Sequence, residues 1–581
     1  MNTNVQQRQK VRLGDLLVQH KVIAEQQLQQ ALAEQKKSGR KLGKVLIELG
    51  LIDEDALLQF LAQQLSIQLV DLKHFQFRPD VVRSLPETHA RRYRAIVLSH
   101  GRDGALVGMA DPTDIFAYDE LSRLLKKNVS IALVREADLL RAIDIVYRRT
   151  DEISSLAEEL GQELMQGDFD LATLAEAEGA VDAPVIKLLQ SMFQDAVQVG
   201  ASDIHIEPDE SVLRIRQRVD GMLHEQIIEG KRIASALVTR LKLMSQLDIS
   251  EKRLPQDGRF TIRVKERTVD VRLSTMPIQH GESVVMRLLD QSATLMELEA
   301  LGMPPEMLPA YLRAVQRPSG MVLVTGPTGS GKTTTLYATL ARINDATTKI
   351  ITVEDPVEYR LPRINQVQIN PKIGLDFARV LRSALRQDPD IIMVGEMRDR
   401  ETAEIGLRAA MTGHLVLTTL HTNDAVATVT RLLDMGAQGY MLAAALDAVI
   451  AQRLVRRICE YCVQDHEPDM HQRAWLASQV GTRAADAFHG KKGEGCAYCN
   501  NTGYRGRIGV YELLEMDTPL ADALRREDSD AFVRQARERP GFKPLVLHAI
   551  EVAARGTTTV DEAMRLSGGI DELIDTEIAD G

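Results

Sequence analysis

The chain has 581 residues and a mass of 64.6 kDa, room for about four domains at ~150 residues each. Its 44% hydrophobic and 26% charged residues are an ordinary globular balance, which excludes a largely disordered or fibrous protein. A net charge of −11 and 4% aromatic residues exclude a global electrostatic grip on nucleic acid and rows of base-stacking side chains.

The amino terminus, MNTNVQQRQK, is polar and lacks the apolar stretch of a secretory signal. No run approaches the ~18 apolar residues of a spanning helix, so the chain is expected to be cytoplasmic. Residues 12–64 carry Leu and Ile at helical spacing. They also carry a repeat: blocks 12–35 and 41–64 have 24 residues each, with five between them. Each opens basic-Leu-Gly (Arg12-Leu13-Gly14 and Lys41-Leu42-Gly43) and ends in Gln (Gln35 and Gln64). Two similar blocks suit a ligand with two similar halves, such as a cyclic dinucleotide. Arg12 can stack on a guanine or fork onto its edge, Gly14 and Gly43 let backbone approach closely, and the glutamines can hydrogen-bond base or phosphate. The bland alternative is a helical repeat whose leucines only pack. Residues 66–147 read as short strands mixed with helices, which closes a regulatory domain at 1–150.

Between Asp151 and Asp182 lie ten acidic residues and no Lys or Arg, the composition of a flexible or partly helical linker. Strand patterns resume at ASDIHIEP and continue through 212–219, 260–264 and 268–273, predicting an α+β domain over 183–297.

From 298 to 451 apolar strands alternate with helical stretches. Val322-Leu323-Val324-Thr325 precedes Gly326-Pro327-Thr328-Gly329-Ser330-Gly331-Lys332-Thr333 and then a helical run, the strand–loop–helix context of a phosphate-binding loop. The glycines let backbone N–H groups converge on phosphate oxygens, with the helix N-terminus behind them. Lys332 is expected to reach the β- and γ-phosphates of ATP, and Thr333 to ligate Mg2+. The strand DIIMV delivers Glu396, the candidate for activating the attacking water. ITVEDPVE supplies Glu354 and Glu358, which either orient water or metal or merely end a strand in solvent. His414 and His421 flank the strand LVLTTL, and either senses the γ-phosphate or is a core histidine.

Cys459-x-x-Cys462 and Cys496-x-x-Cys499 are 33 residues apart. Four thiolates in two such pairs suit tetrahedral Zn2+ with every position filled, a structural ion. The metal module is expected over 452–515, with a helical C-terminal region over 516–581.

Four boxes in order (the phosphate loop, ITVEDPVE, DIIMVGEMRD and TGHLVLTTLHTND) together with upstream ASDIHIEP, RQRVDG and LPQDGRF resemble the ATPases of type II secretion and type IV pilus assembly. The resemblance spans about 180–515. It implies a RecA-like core in a hexameric ring, with Glu396 as the catalytic acid and both histidines in the family's histidine box. It implies an inner-membrane platform protein as partner and peripheral association with that membrane, while the net charge and low aromatic content lead to no expectation of direct nucleic-acid contact. The domain before the core then supplies arginines to the nucleotide. Arg218, Arg259, Arg272 and Arg287 lie in that stretch; Arg259 and Arg272 are favoured, with a salt-bridge role as the alternative. Their distance in sequence from the core suggests that subunits complete one another. A retraction or DNA-uptake motor is the alternative within the class; the four-cysteine module and the N-terminal domains agree with an assembly motor and weigh against retraction. The paired acid boxes weigh against a nucleotide-regulated binding module without turnover. The N-terminal repeat resembles the cyclic-di-GMP domain of the mannose-sensitive haemagglutinin pilus type within this family, with Lys41 in place of Arg and Lys21 in place of the Gly kept as Gly50. The expected fold class is therefore multidomain α/β and α+β: a RecA-like P-loop core, an α+β domain before it, an N-terminal helical-repeat and α/β domain, and a four-cysteine zinc module.

Overall fold

The computed structural model describes residues 17–20, 22–38, 42–73, 75, 77–101, 104–147, 150–166, 184–229, 231–264, 267–290 and 296–567. The chain divides into two compact units, Met1–Arg148 with Cys496–Tyr498, and Arg149–Gly495 with Cys499–Gly581. No helix among the described residues is long and apolar enough to cross a membrane.

The first unit opens with helices Glu25–Ser38, Leu42–Glu48 and Glu54–Leu65. The last begins where the Asp53 side chain accepts from the N–H of Asp55, and it stops where Ser66 turns left-handed. The 24-residue block and its five-residue spacer reappear as physical symmetry. Leu17 and Leu46 are both fully buried, as are most of Leu28 and Leu57. Val22 N–H donates to Leu17 O at 2.9 Å, and Leu51 N–H donates to Leu46 O at 3.0 Å. Burying each such leucine stabilises the unit by about 1.5–3 kcal/mol. A three-stranded sheet follows, made of β1 (Ala95–His100), β2 (Gly104–Met109) and β3 (Asn128–Leu133), with β1/β2 antiparallel and β2/β3 parallel.

The second unit contains a six-stranded antiparallel sheet: β4 (Asp203–Pro208), β5 (Val212–Val219), β6 (Met222–Glu229), β7 (Gln256–Val264), β8 (Arg267–Ile278) and β9 (Gly281–Asp290), in the order β6-β5-β4-β9-β8-β7. Alternation puts Ile204, Ile206, Val271 and Met286 into a core shared with helices Pro184–Val199 and Lys231–Met244. Residues 151–166, expected in a flexible or partly helical acidic linker, form the helix Thr150–Gln166 and pack into this domain rather than linking to it. Ile153, Ala157 and Leu160 recur at helical spacing and are buried in that same core. An apolar stripe of this kind overrides the acidic composition, because only one face of a helix needs to be apolar.

The larger sheet has seven strands: β10 (Gly320–Thr325), β11 (Ile350–Glu354), β12 (Ile364–Gln368), β13 (Ile391–Val394), β14 (Leu415–Leu420), β15 (Leu446–Ile458) and β18 (Tyr504–Glu515). A two-stranded ribbon, β16 (Val463–His466) and β17 (Gly490–Gly493), lies between β15 and β18 in sequence. The order is β12-β11-β13-β14-β10-β15-β18, parallel except for the β15/β18 pair. Residues 452–458 and 504–515, expected inside the metal module, are thus core strands. β15 stays in the sheet because Gln452, Val455 and Ile458 continue its buried pattern past residue 451. The C-terminal helices also belong to this body, since Leu520, Phe532 and Ile550 share a core with Leu323 and Val449.

Candidate active site

Parallel strands deliver loops to one edge of the sheet, and the candidate residues follow that rule. β10 is buried throughout and runs into the loop 326–331. Gly326, Gly329 and Gly331 all have positive φ (150°, 79° and 89°). A Cβ on Gly326 would lie 2.4 Å from Gln452 O, so only glycine fits there. The helix Lys332–Ile343 starts at Gly331 with no side-chain cap, which leaves its first N–H groups available to an anion. Ser330 Oγ is buried with no hydrogen-bond partner, whereas Pro327, Thr328, Gly329 and Thr333 are exposed. An uncapped helix start and an orphaned hydroxyl beneath an open crest fit a phosphate group. Lys332 Nζ donates to Gly326 O at 2.7 Å and to Pro327 O at 2.9 Å. Burial pushes its pKa down to about 8, against the opposing charge of Glu396.

Glu396 follows β13. Its segment is pinned on both sides: Gly395 N–H donates to Val353 O at 2.7 Å, and Thr419 Oγ1 donates to Gly395 O at 2.6 Å. One carboxylate oxygen pairs with Arg398 at 2.5 Å, and the other is 3.6 Å from His421 Nε2. Partial burial, with Lys332 and Arg398 nearby, lowers the His421 pKa. Thr422 ties the histidine loop to the strand before the phosphate loop, its N–H donating to Thr325 Oγ1 at 3.2 Å.

His414 is not brought to this group. It precedes β14, the six-residue strand that His421 follows, a separation of about 20 Å along the chain. Its Nδ1 is 3.0 Å from Ala409 O, and its own carbonyl accepts from Gly320 N–H at the start of β10. Glu354 ends β11 and is only 3% exposed. Its carboxylate accepts from the Tyr337 and Thr352 hydroxyls and from Gln366 Nε2 at 3.2 Å. Glu358 lies in the following loop and pairs with Arg272 Nη2 at 2.8 Å.

The four arginines singled out from the sequence stand on one rung of the six-stranded sheet. Arg218 pairs in register with Asp203, Asp203 with Arg287, Arg287 with Arg272, and Arg272 with Arg259. Same-rung residues share a face, and this one borders a cleft of about 1000 Å³ that Arg259, Arg272, Arg287 and Glu358 line. Arg287 is held by Asp203 at 3.0 Å, and Arg218 donates to Gly221 O at 2.8 Å. Arg272 reaches the acid loop of its own chain, so bringing the two together requires no second subunit.

A family model described as "Type II/IV secretion system protein" matches residues 178–565. The chain belongs to this family. A second family model, described as "MshEN domain", matches residues 65–153. The type IV pilus assembly ATPase PilB of Myxococcus xanthus is 41% identical over 556 residues, which cover 95% of this chain and 98% of that protein. The type II secretion system ATPase E of Vibrio cholerae is 42% identical over 502 residues (84% and 97%), and PilB of Pseudomonas aeruginosa is 38% identical over 561 residues (96% and 98%). This family member is an ATPase with an α/β core.

Its four cysteines form one cluster, with the sulfur atoms of Cys459, Cys462, Cys496 and Cys499 all within 4.8 Å of one another. Cys462 and Cys499 are 3.8 Å apart, and Gly503 N–H points at Cys499 Sγ from 3.2 Å. Four converging thiols with an N–H donor beside them fit a tetrahedral Zn2+ ion, which would lock the turn and supply no chemistry. In the first unit, Gln35, Gln64 and Leu42 are partly buried and Gly43 lies in the helix Leu42–Glu48. Arg12, Leu13, Gly14 and Lys41 lie outside the described residues.

Sequence reasoning did not single out Tyr337, Gln452 or Arg398. Arg398 lies two residues beyond Glu396 in the same box, a usable signal. Gln452, whose Oε1 accepts from Thr335 Oγ1 at 2.7 Å, carries none, because it is distant in sequence from the loop it supports.

Proposed function

We propose that this chain is the hexameric motor of a type IV pilus assembly or type II secretion system. On this reading the loop 326–333 holds ATP, with Lys332 on the β- and γ-phosphates. Thr333 and Glu396 would hold Mg2+, which screens phosphate charge. Glu396 orients the attacking water and accepts its proton, and His421 senses the γ-phosphate through Glu396. Arg272 and Arg259 clamp the transferring phosphoryl group from the second domain, where a planar fork suits phosphate oxygens. The motor then works on an inner-membrane platform protein from the cytoplasmic side, and cyclic di-GMP regulates it through the N-terminal domain. Arg12, Leu13, Gly14, Gln35, Lys41, Leu42, Gly43 and Gln64 are the proposed contacts for that ligand on the strength of the tandem repeat; the MshEN match lies at residues 65–153 and supports an N-terminal domain of this type without touching those positions.

One observation carries the reading: Lys332, Glu396 and His421 follow β10, β13 and β14 at the same edge of one parallel sheet. The test is phosphate release by the wild type and by Glu396→Gln. The expected result is turnover in the wild type and its near-complete loss in the variant, with nucleotide still bound. Equal, negligible release by both would leave a nucleotide-regulated binding module as the better reading.

A further inference from the structure

Tyr337 lies on the helix that carries the phosphate loop, and its side chain is fully buried. Its hydroxyl donates to Glu354 Oε2 and accepts from the backbone N–H of Glu358 at 3.3 Å. Its ring meets Tyr359 edge-on at 4.8 Å. Gln366, on β12, completes the cage: Nε2 donates to Glu354 Oε1 and to Tyr359 O, each at 3.2 Å, and Oε1 accepts from Leu361 N–H at 2.7 Å. One hydroxyl therefore fixes both ends of the turn 354–358, and Glu358 in turn holds Arg272.

We infer that Tyr337 is a positioning residue for hydrolysis: its hydroxyl registers the turn 354–358 against the phosphate-loop helix, and through Glu358 sets where Arg272 stands. This deepens the ATPase reading and rests on it. The chemistry suits the task. A buried phenol donates along a fixed direction, and a buried carboxylate left without a donor is costly enough to move. Burial and the charge of Glu354 both raise the Tyr337 pKa well above its usual value, so the donor persists at any working pH. The residue touches neither the phosphate loop's crest nor Glu396. Its loss should therefore spare nucleotide affinity and slow the chemical step.

The experiment uses full-length protein and measures kcat, KM, the affinity for a non-hydrolysable ATP analogue, and Tm. Tyr337→Phe removes one oxygen and is expected to lower kcat about tenfold, as loss of one well-placed hydrogen bond does, with analogue affinity within twofold of wild type. In an Arg272→Ala background the same change should cost less than twofold, because the group it positions is gone. Unchanged kcat in Tyr337→Phe, or a full tenfold loss in the Arg272→Ala background, overturns the inference. If Tyr337→Phe does not fold, Thr352→Val decides, since it removes a second donor from the same carboxylate. Slower turnover at unchanged affinity supports the inference, and unchanged turnover overturns it. Lys332→Ala and wild type run alongside: absence of hydrolysis in the wild type itself would fault the ATPase reading rather than the role of Tyr337.

Discussion

Arg272 and Glu358 are 86 residues apart in sequence, yet they meet at 2.8 Å within one chain. The pair joins the arginine rung of the six-stranded sheet to the loop after β11, in which the first acid box of the core ends. Both partners are about one-third exposed, so the pair itself contributes little stability. Its value lies in placement: on the proposed reading, an arginine already held by a carboxylate could transfer to phosphate oxygens with little reorganisation.

Arg272→Ala is expected to lower turnover about 100- to 1000-fold, the range for removing one transition-state donor, while nucleotide binding persists. Arg272→Lys should recover only part of the loss, because an ammonium lacks the planar fork. Mixed rings of Lys332→Ala and Arg272→Ala subunits separate two geometries. If each arginine serves its own chain, mixing recovers no activity. Recovery on mixing would show that subunits complete one another.

Lys332→Ala should abolish hydrolysis without unfolding the protein, checked by phosphate release and circular dichroism. The nucleotide-free lysine titrates near pH 8 because it is buried, and phosphate needs its charged form. Affinity for a non-hydrolysable ATP analogue should therefore fall as pH rises through 8, by about tenfold per unit beyond it. Calorimetry across that range checks the slope, which the alanine variant should lack.

Glu512, on β18, is 3% exposed and accepts from the backbone N–H of Ala425 at 2.8 Å and of Leu545 at 3.1 Å, the first residues of two helices. Burial raises its pKa to about 7 from 4.5 despite those donors. The folded chain then keeps a proton that the unfolded chain releases between these values. That contribution is fully present below pH 4.5 and lost as pH rises through 7. Glu512→Gln removes the dependence. Wild-type Tm should fall relative to the variant between about pH 5 and pH 8, by an amount equivalent to ~1–3 kcal/mol.

Protein purified without chelator should carry one Zn2+ per chain, measured by elemental analysis. Cys459→Ser or Cys499→Ser should remove it. Either change should also lower Tm, because metal binding at such a site is folding free energy. Unaltered Tm after complete chelation would mean that the turn folds without the ion.

Full-length protein should bind cyclic di-GMP by calorimetry, and Arg12→Ala should weaken binding more than Lys41→Ala, since only arginine can both stack and fork. Equal losses in the two would argue that both openings read phosphate.

Local chemistry was written in the sequence. The phosphate loop needs glycines at fixed offsets, a preceding apolar strand and a following helix, and all of these are contiguous in 322–343. The N-terminal repeat was legible for the same reason: Leu17 and Leu46 occupy equivalent positions in blocks of equal length, so they are buried alike. The two Cys-x-x-Cys pairs announced four ligands of one chemical type, although only folding brings their sulfurs within 4.8 Å. Composition allowed a helix within the acidic stretch but did not show that the apolar stripe of Thr150–Gln166 packs into the second domain's core, nor that the buried pattern of β15 runs past the expected boundary. Tertiary structure alone decided the rest. Strand register placed Arg218, Arg287, Arg272 and Arg259 on one rung, strand direction sent His421 to the nucleotide edge and His414 to the opposite one, and packing closed Tyr337 onto Glu354. Register, direction and packing depend on pairings between segments tens to hundreds of residues apart, and no local pattern of residues encodes them.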